Sequence, residues 1–369
     1  MTKVAILGAG QIGRAVYKII TDLRKDADFR NPYYGIDAFV IDSSQENIQK
    51  LVYGSHYVVD LTTSSQKEIT ELLVGNEVTH VINALPFIFN VKVASAAAAA
   101  NCSYIDFTED DIMADKVKEV FKEGSLNCAV KCGLAPGFIN YVGYDLVGKM
   151  DTPDSLLISV GALPRTVSYD KAHPEHSYNL SWSVDGLVNE YIRPCRVRKN
   201  GEEMEIPALG GLVKVVLDGT EYEAAYTSGG IGSLAHDLTN VPNVHYMTLR
   251  YPGHYKYVRG IVQDNHSNFD VIKKIFTNTF SFTDDDVIVV YANAQGKDKD
   301  GVPVRKSYSN KFYGVNGLTG IQSTTAGSGV AMLELMLEGK MTGIIDHSSV
   351  SLLDFTNTHA FLDYYKTAK

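Results

Sequence analysis

A chain of 369 residues, of which 45% are hydrophobic, exceeds what one small core requires, and we expect two domains, one of them discontinuous in sequence. Because 34 Lys and Arg stand against 43 Asp and Glu, with a net charge of −9 and no basic block, we exclude nucleic acid and anionic membranes as partners. The apolar stretches are too short or too interrupted to span a bilayer, the N terminus lacks the pattern of a signal peptide, and there are only four cysteines, so we expect a cytoplasmic protein with reduced thiols.

The first segment is predicted to be a strand, a glycine turn and a helix. An apolar run at 4–7 precedes the turn 8–13, after which apolar residues recur at helical spacing. In a dinucleotide-binding turn, the three glycines permit the tight turn, the approach of a pyrophosphate and the packing of the helix on the strand. The helix N terminus offers N–H groups and a partial positive charge to the phosphates. A plain glycine turn is the alternative. The predicted cofactor contacts in this turn are Gly8, Gly10, Gln11, Ile12 and Gly13.

The second predicted strand, 36–41, is followed by Asp42 and Ser43, both of which we predict to contact the cofactor. A carboxylate at this position accepts hydrogen bonds from the adenosine ribose hydroxyls and repels the 2′-phosphate of NADP, so we predict NAD as the cofactor. No arginine follows to bind that phosphate. Asp42 lies 29 residues after Gly13, against a usual spacing of about 20. The alternatives are Asp37, earlier in the strand, and a solvated Asp42 without a ligand.

Strands and helices alternate through the following 80 or so residues. The pattern predicts strands at 57–59, 78–82 and 103–105, and helices at 66–73, 91–100 and 113–121. Such alternation predicts an α/β fold with a doubly wound parallel sheet, whose ligands gather at the carboxyl ends of the strands. The residues at these ends that we expect to contact the cofactor are Asp60, Leu61, Ala84, Leu85 and Pro86, with Asn83 expected at the substrate.

Four later runs resemble the saccharopine dehydrogenase family. They are Gly133–Asn140, Leu180–Ser183 followed by Asp185-Gly186, Thr248–His254 and Thr324–Gly329. The match extends over nearly the whole chain in the same order, and within the family it is greatest to the lysine 6-dehydrogenases. The resemblance implies further cofactor contacts from Gly133, Leu134, Pro136 and Gly137 and a substrate contact from Asn140.

The resemblance also implies the architecture. It predicts a Rossmann domain over 1–139, a central α/β domain with a mixed sheet over 140–313, and a C-terminal segment, 314–369, that returns to the first domain. The central domain would carry the substrate contacts and the interface of a homodimer. The sequence agrees with a long helix at 318–337 near the cofactor, ended by Gly339.

The chemistry that the resemblance implies is hydride transfer to a nicotinamide from a carbon that bears an amine, which yields an imine that water hydrolyses. Relatives that reduce saccharopine often carry an arginine after the Ser-Trp-Ser run, whereas Val184-Asp185 stands here. This departure favours L-lysine or a related diamino acid over a substrate with a second carboxylate arm. Substrate specificity could also have diverged in the segment 158–176.

Oxidation of an amine requires a neutral nitrogen, and the lysine ammonium has a pKa of about 10.4, so a base is expected. We predict His254 as the acid/base and Asp106 as its orienting or proton-accepting partner; a loop histidine bonded to backbone is the alternative. Arg250 is predicted to bind the substrate carboxylate through two parallel hydrogen bonds, with an ion-paired surface arginine as the alternative. Tyr251 either shapes the pocket or packs beside Pro252.

No metal site is predicted. Cys128 and Cys132 flank a short apolar strand and are expected to be buried. His173 and His176 offer two zinc ligands without a third. Motifs of hydrolases and kinases are absent. Two alternatives to an amine dehydrogenase stay open: a reductive enzyme that joins an amine to a carbonyl compound, and a non-catalytic NAD-binding sensor.

Overall fold

The computed structural model describes residues 2–25, 28, 30–51, 55–166 and 178–367. The chain divides into two compact units, unit 1 with Met1–Phe138 and Gln322–Tyr365, and unit 2 with Ile139–Ile321 and Lys366–Lys369. The predicted boundaries, after 139 and after 313, differ from these divisions by one and eight residues. The chain end from Lys366 belongs to unit 2 rather than to unit 1, because the Tyr313 N–H donates to the Lys366 carbonyl at 3.0 Å.

The strands and helices follow one another along the whole chain. In chain order the strands are β1 (Lys3–Leu7), β2 (Asp37–Asp42), β3 (Ser55–Val58), β4 (His80–Asn83), β5 (Ser103–Asp106), β6 (Cys128–Ala129), β7 (Thr152–Pro164), β8 (Cys195–Lys199), β9 (Glu202–Ile206), β10 (Val213–Leu217), β11 (Thr220–Tyr226), β12 (Asn243–Arg250), β13 (Asp286–Lys297), β14 (Pro303–Tyr313) and β15 (Ile344–Ile345). The helices are α1 (Gln11–Leu23), α2 (Gln45–Gln49), α3 (Gln66–Gly75), α4 (Asn90–Ala99), α5 (Asp111–Phe121), α6 (Phe138–Gly148), α7 (Val184–Ile192), α8 (Leu234–Asp237), α9 (His254–Asp264), α10 (Phe269–Thr279), α11 (Gly320–Leu337), α12 (Leu352–Thr356) and α13 (His359–Tyr364).

Unit 1 is built on a seven-stranded sheet in the order β3-β2-β1-β4-β5-β6-β15, and every neighbouring pair is parallel. The order reverses between β1 and β4, which is the point where doubly wound sheets open a ligand crevice at their carboxyl ends. The core strands β1 and β2 are buried almost throughout, as parallel strands covered on both faces are. The predicted α/β fold with a doubly wound sheet is confirmed.

Local sequence explains the elements of unit 1. Ser65 and Glu68 form a capping box that begins α3, and Asp110 caps α5 through the Met113 N–H. The predicted strands and helices up to residue 121 are confirmed, with ends that differ by no more than two residues. The long C-terminal helix is confirmed as α11, and Gly339 follows it with a left-handed φ of 69°.

Unit 2 is built on a mixed sheet in the order β10-β11-β12-β7-β13-β14, with β8 pairing with β12 and β9. The pair β12–β7 is parallel and the other pairs are antiparallel. One cluster of buried side chains lies among α7, α9 and α10, and it includes Leu187, Val258 and Phe276. A second cluster is centred on Leu249 and Val289 of the sheet. The predicted mixed sheet is confirmed.

Within the described ranges, no helix combines the length and the apolar character needed to cross a membrane.

Candidate active site

The glycine turn of unit 1 is shaped for a close ligand. Gly8 has a φ of 99°, and a Cβ added there would lie 2.9 Å from the Ala84 carbonyl oxygen. A Cβ at Gly13 would overlap the Gly8 carbonyl. At Gly10, by contrast, an added Cβ would meet no atom within 4 Å, and Gly10 is the N-cap residue of α1, with no side-chain cap. The turn therefore leaves open space in front of a helix N terminus, which fits a pyrophosphate group.

Asp42 joins the end of β2 to this turn. Its Oδ2 accepts a hydrogen bond from the Ala9 N–H at 2.6 Å, and its Oδ1 accepts one from the Ser44 N–H at 2.7 Å. The side chain is 8% exposed, and Oδ2 retains a lone pair. Asp42 can thus accept a hydrogen bond from a ribose hydroxyl while its hydrogen bond from the Ala9 N–H stabilises the turn. Asp37 lies at the other end of β2.

The other predicted cofactor residues lie at the carboxyl ends of the strands of unit 1. Asp60 is exposed and accepts hydrogen bonds from the Thr62 N–H and hydroxyl, and these hydrogen bonds lower the pKa of Asp60. The side chain of Leu61 is buried in the core, its N–H donates to the Val59 carbonyl, and its carbonyl accepts from Lys92 Nζ at 2.8 Å. The remaining positions are exposed Gln11, Ser43 and Pro86, partly exposed Ile12, Ala84 and Leu85, and buried Gly133, Leu134, Pro136 and Gly137.

Asp106, predicted as the partner of the acid/base, is enclosed in unit 1 with no exposed surface. Its Oδ1 accepts from the backbone N–H groups of Thr108 and Lys131, both at 3.1 Å. Burial raises the pKa of Asp106 to about 6, although these two hydrogen bonds favour the carboxylate. The surroundings of Asp106 are those of an anchor inside the protein.

The side chains of the predicted substrate residues Asn83, Asn140 and Tyr251 are also engaged. Both ends of the Asn83 amide are hydrogen-bonded within unit 1. Asn140 is fully buried in unit 2 and donates to the Ile231 carbonyl at 2.7 Å. The Tyr251 ring stacks on Tyr222, which belongs to the cluster around Leu249. None of these three side chains joins the polar group around Arg250.

Arg250 lies at the end of β12 and is 1% exposed. Its Nε donates to the Tyr191 hydroxyl at 2.9 Å, Nη1 to the Leu249 carbonyl at 3.1 Å and Nη2 to Glu190 Oε2 at 3.2 Å. The guanidinium carbon stands 4.9 Å from the centroid of the Tyr178 ring. A guanidinium has five N–H groups, and among the described residues only three of them have an acceptor. One N–H on Nη1 and one on Nη2 are therefore left over within the described part of the chain.

The same hydroxyl of Tyr191 lies 2.9 Å from His254 Nε2. An arginine can only donate, so Tyr191 accepts from Arg250 and its own proton is directed to Nε2. That assignment places the proton of a neutral His254 on Nδ1, which has no hydrogen-bond partner in the described part of the chain. Burial, and the nearby charge of Arg250, hold the pKa of His254 well below its usual value. His254 therefore presents a neutral N–H donor.

Glu190 completes this group, and we call Glu190, Tyr191, Arg250 and His254 the Arg250 cluster. The Glu190 side chain is 13% exposed, and its Oε1 has no hydrogen bond from any described residue. Burial raises the pKa of Glu190 to about 7 and outweighs the attraction of Arg250, which favours the charged form. Glu190 is thus poised to exchange a proton near neutral pH.

Sequence reasoning missed Glu190 and Tyr191, although a signal was present. Leu187, Val188 and Tyr191 form the buried face of α7. Glu190 lies three residues after Leu187 and so falls on that apolar face, where a carboxylate requires a partner.

Two further predictions concern possible metal ligands. All four cysteines are buried thiols, so the predicted burial of Cys128 and Cys132 is confirmed. His173 and His176 lie outside the described residues. Among the residues that are described, no three His, Cys, Asp or Glu side chains are grouped to hold a metal ion.

The chain matches two family models. Residues 4–126 match the saccharopine dehydrogenase NADP binding domain, and residues 133–350 match the saccharopine dehydrogenase C-terminal domain.

Two solved structures resemble the chain over most of its length. One is the apo saccharopine dehydrogenase (L-Glu forming) from Saccharomyces cerevisiae, with a TM-score of 0.76, 15% identity and 96% of each chain covered. Another is the homospermidine synthase from Legionella pneumophila in complex with NAD, with a TM-score of 0.68, 12% identity, 100% of this chain and 92% of that chain covered. At these identities the two similarities show a shared fold. With both family models matched in order, the chain belongs to the saccharopine dehydrogenase family and is an NAD(P)-dependent oxidoreductase of that family.

Proposed function

We propose that the protein is an NAD-dependent dehydrogenase that oxidises the amine-bearing carbon of L-lysine or a related diamino acid to an imine, which water then hydrolyses. The observation that supports this most directly is the Arg250 cluster. It joins a cation, a carboxylate with a pKa near neutrality and an N–H donor that has no partner among the described residues within one buried group. An amino acid carries the complementary groups, a carboxylate and at least one ammonium.

Three of the four members of the Arg250 cluster have a proposed task. The two remaining N–H groups of Arg250 bind the substrate carboxylate. Oε1 of Glu190 takes the proton of the ammonium, because its pKa is matched to that task and His254 already accepts from Tyr191 through Nε2. His254 orients a substrate oxygen through Nδ1–H. This assignment moves the proposed base from His254 to Glu190.

The preference for NAD rests on Asp42. The glycine turn would hold the pyrophosphate and Asp42 the adenosine ribose, while the carboxylate would repel a 2′-phosphate. When bound, NAD supplies the acceptor for the hydride that leaves the amine-bearing carbon.

Steady-state assays test the proposal. Lysine, ornithine, saccharopine and simple diamines are offered with NAD, and the matching oxo acids are offered with NADH and either ammonia or an amine. We expect NADH to form from a diamino acid and NAD. In the reverse direction, we expect the oxo product and NADH to react with ammonia as the only amine. A reaction that needs a second organic amine instead would favour a condensing enzyme. Tight NADH binding without turnover of any of these compounds would favour a sensor and contradict the proposal.

Variants connect the activity to the Arg250 cluster. We expect Arg250→Lys to raise the KM for the amino acid about tenfold to a hundredfold, the cost of hydrogen bonds to a charged group. Arg198→Lys is the matched control, because Arg198 is also buried in unit 2, but among the described residues it donates to the carbonyls of Ala235 and Gly201 alone. It is expected to lower the melting temperature and to leave the KM unchanged. Equal KM effects from the two variants would contradict the assignment.

A further inference from the structure

A second buried polar group lies in unit 1, at the carboxyl ends of β4 and β5. It consists of Asn83, Asn90, Tyr104 and Asp106, and none of these is more than 2% exposed. Three of the four are neutral and the fourth is a carboxylate. We call this set the Asp106 chain.

The members of the Asp106 chain are linked in series. Asn90 Nδ2 donates to Asp106 Oδ2 at 2.8 Å, and Asn83 Nδ2 donates to Asn90 Oδ1 at 2.9 Å. Asn83 Oδ1 then accepts from the backbone N–H of Leu85 at 3.2 Å. The Tyr104 hydroxyl lies beside this series, accepting from Asn83 at 3.0 Å and donating to Asp106 at 3.1 Å.

The two ends determine the direction of the series. An ionised carboxylate only accepts hydrogen bonds, and a backbone N–H only donates them. Asn90 must therefore turn its NH2 group toward Asp106, and Asn83 must turn its oxygen toward Leu85. With both ends in place, no flipped amide satisfies the series, so the carboxylate of Asp106 determines which atom Asn83 offers to the loop after β4.

That loop borders the glycine turn. The Ala84 N–H donates to the Leu7 carbonyl at 2.8 Å, and a Cβ added to Gly8 would meet the Ala84 carbonyl and the Leu85 side chain at 2.9 and 3.2 Å. The loop therefore stands at the β1–β4 reversal, where the crevice of such a sheet opens. On the opposite side, Asp106 Oδ1 holds the backbone of Lys131, just before Gly133.

We propose that Asp106 is a positioning residue, which acts through Asn90 and Asn83 to hold the loop of Ala84 to Pro86 in the form that receives the dinucleotide. The proposal rests on the proposed NAD-dependent function. It gives Asp106 and Asn83 roles that need no contact with substrate. It also accounts for a carboxylate that is fully buried and that forms no ion pair with any described residue, although its Oδ1 accepts from the backbone N–H groups of Thr108 and Lys131.

A reciprocal swap tests the direction of the series. In Asp106→Asn, the new NH2 group faces the NH2 of Asn90, and relieving this conflict flips both amides and leaves the Leu85 N–H without an acceptor. Asn90→Asp sets two carboxylates against each other. In the double variant the new amide donates to the new carboxylate, which still accepts from Asn83, so the acceptor for Leu85 returns.

The readout is the dissociation constant of NADH, followed by its fluorescence, beside the melting temperature of each variant. Asp106→Asn is expected to bind NADH about tenfold more weakly, the cost of one unsatisfied buried donor, and Asn90→Asp is expected to bind it more weakly because two facing carboxylates repel each other. The double variant is expected to bind NADH within about twofold of the wild type. Tyr104→Phe, which keeps the direction of the amides, is expected to lower the melting temperature more than the affinity. Should one single variant not fold, the other carries the comparison.

Three results would overturn the inference. These are wild-type affinity in a folded single variant, a double variant no better than the singles, and a loss of affinity that only follows the melting temperature across all variants. A wild-type protein that does not bind NADH would instead contradict the proposed function itself, so the two failures are distinguishable.

Discussion

Buried carboxyl groups differ from one another in this protein by what surrounds them. Asp42 is held by backbone N–H groups at the edge of the glycine turn, whereas Asp106 is enclosed and Glu190 faces an arginine at a partly exposed position. Burial raises the pKa of Asp106 to about 6 and that of Glu190 to about 7. Of the two, only Glu190 has an exposed edge at which a substrate proton can be received.

The raised pKa of Glu190 leads to a prediction about pH. If ionised Glu190 is the base, kcat/KM for the amine rises as the pH rises through about 7, and Glu190→Gln removes this limb of the profile. Stability changes in the opposite sense. An unfolded glutamate loses its proton near 4.5 while the native one keeps it to about 7, so this residue makes the free energy of unfolding fall as the pH rises across that window. Denaturant titrations of the wild type and of Glu190→Gln at several pH values measure the free energy of unfolding. An equal pH dependence in the two proteins would contradict the raised pKa of Glu190.

Asp42 leads to a prediction about cofactor choice. Asp42→Asn keeps an oxygen for the Ala9 N–H and removes the negative charge, so we expect the ratio of kcat/KM for NAD over NADP to fall about tenfold, equivalent to about 1.4 kcal/mol. Asp37→Asn makes the same change at the other end of β2 and is expected to leave the ratio unchanged. Equal use of both cofactors by the wild type would show that Asp42 does not bind the ribose.

At the scale of elements, α9 is positioned by a carboxylate from the neighbouring strand. Gly253, just before the helix, has a left-handed φ of 97° and supplies no cap. Glu223 of β11 replaces the cap, accepting from the Gly253 N–H at 3.1 Å and from the Tyr255 N–H at 2.6 Å. Because His254 is the first residue of α9, this cap also orients one member of the Arg250 cluster.

Removing this cap is expected to destabilise the protein. Glu223→Gln loses one of the two acceptors and the charge near the helix N terminus, which costs about 1–2 kcal/mol of unfolding free energy. Glu221→Gln on the same strand is the control, because its ion pair with Lys214 is exposed and contributes less than about 1 kcal/mol. Chemical denaturation compares the two, and equal losses would show that Glu223 does not act as a cap.

At the scale of the whole molecule, we propose that the protein forms a homodimer, as the family resemblance implies. Light scattering coupled to size-exclusion chromatography should give twice the 40.5 kDa mass of one chain. The same mass over a hundredfold dilution would indicate a stable association. A mass of one chain at all concentrations would contradict the proposal.

Much of unit 1 could be predicted because its signals are local. The glycine turn, Asp42 at the end of β2 and the alternation of strands with helices all depend on residues near one another in sequence, where apolar periodicity and glycine geometry act directly. The four segments that resemble the saccharopine dehydrogenase family extended the prediction of the fold to the mixed sheet of unit 2. Predictions for single side chains were less complete, because a position at a strand end does not tell whether the side chain is open or enclosed.

The sequence by itself determined the class of fold, the position of the dinucleotide turn and the acid at the end of β2, since each is specified within a few neighbouring residues. Only the tertiary structure decided which charges meet. Glu190 and Arg250 are 60 residues apart, and Asp106 is enclosed by Asn90 and Lys131 from other segments. Burial and pairing determine whether a carboxylate binds a ligand, accepts a proton or holds a loop in position. Both arise only when distant segments pack together.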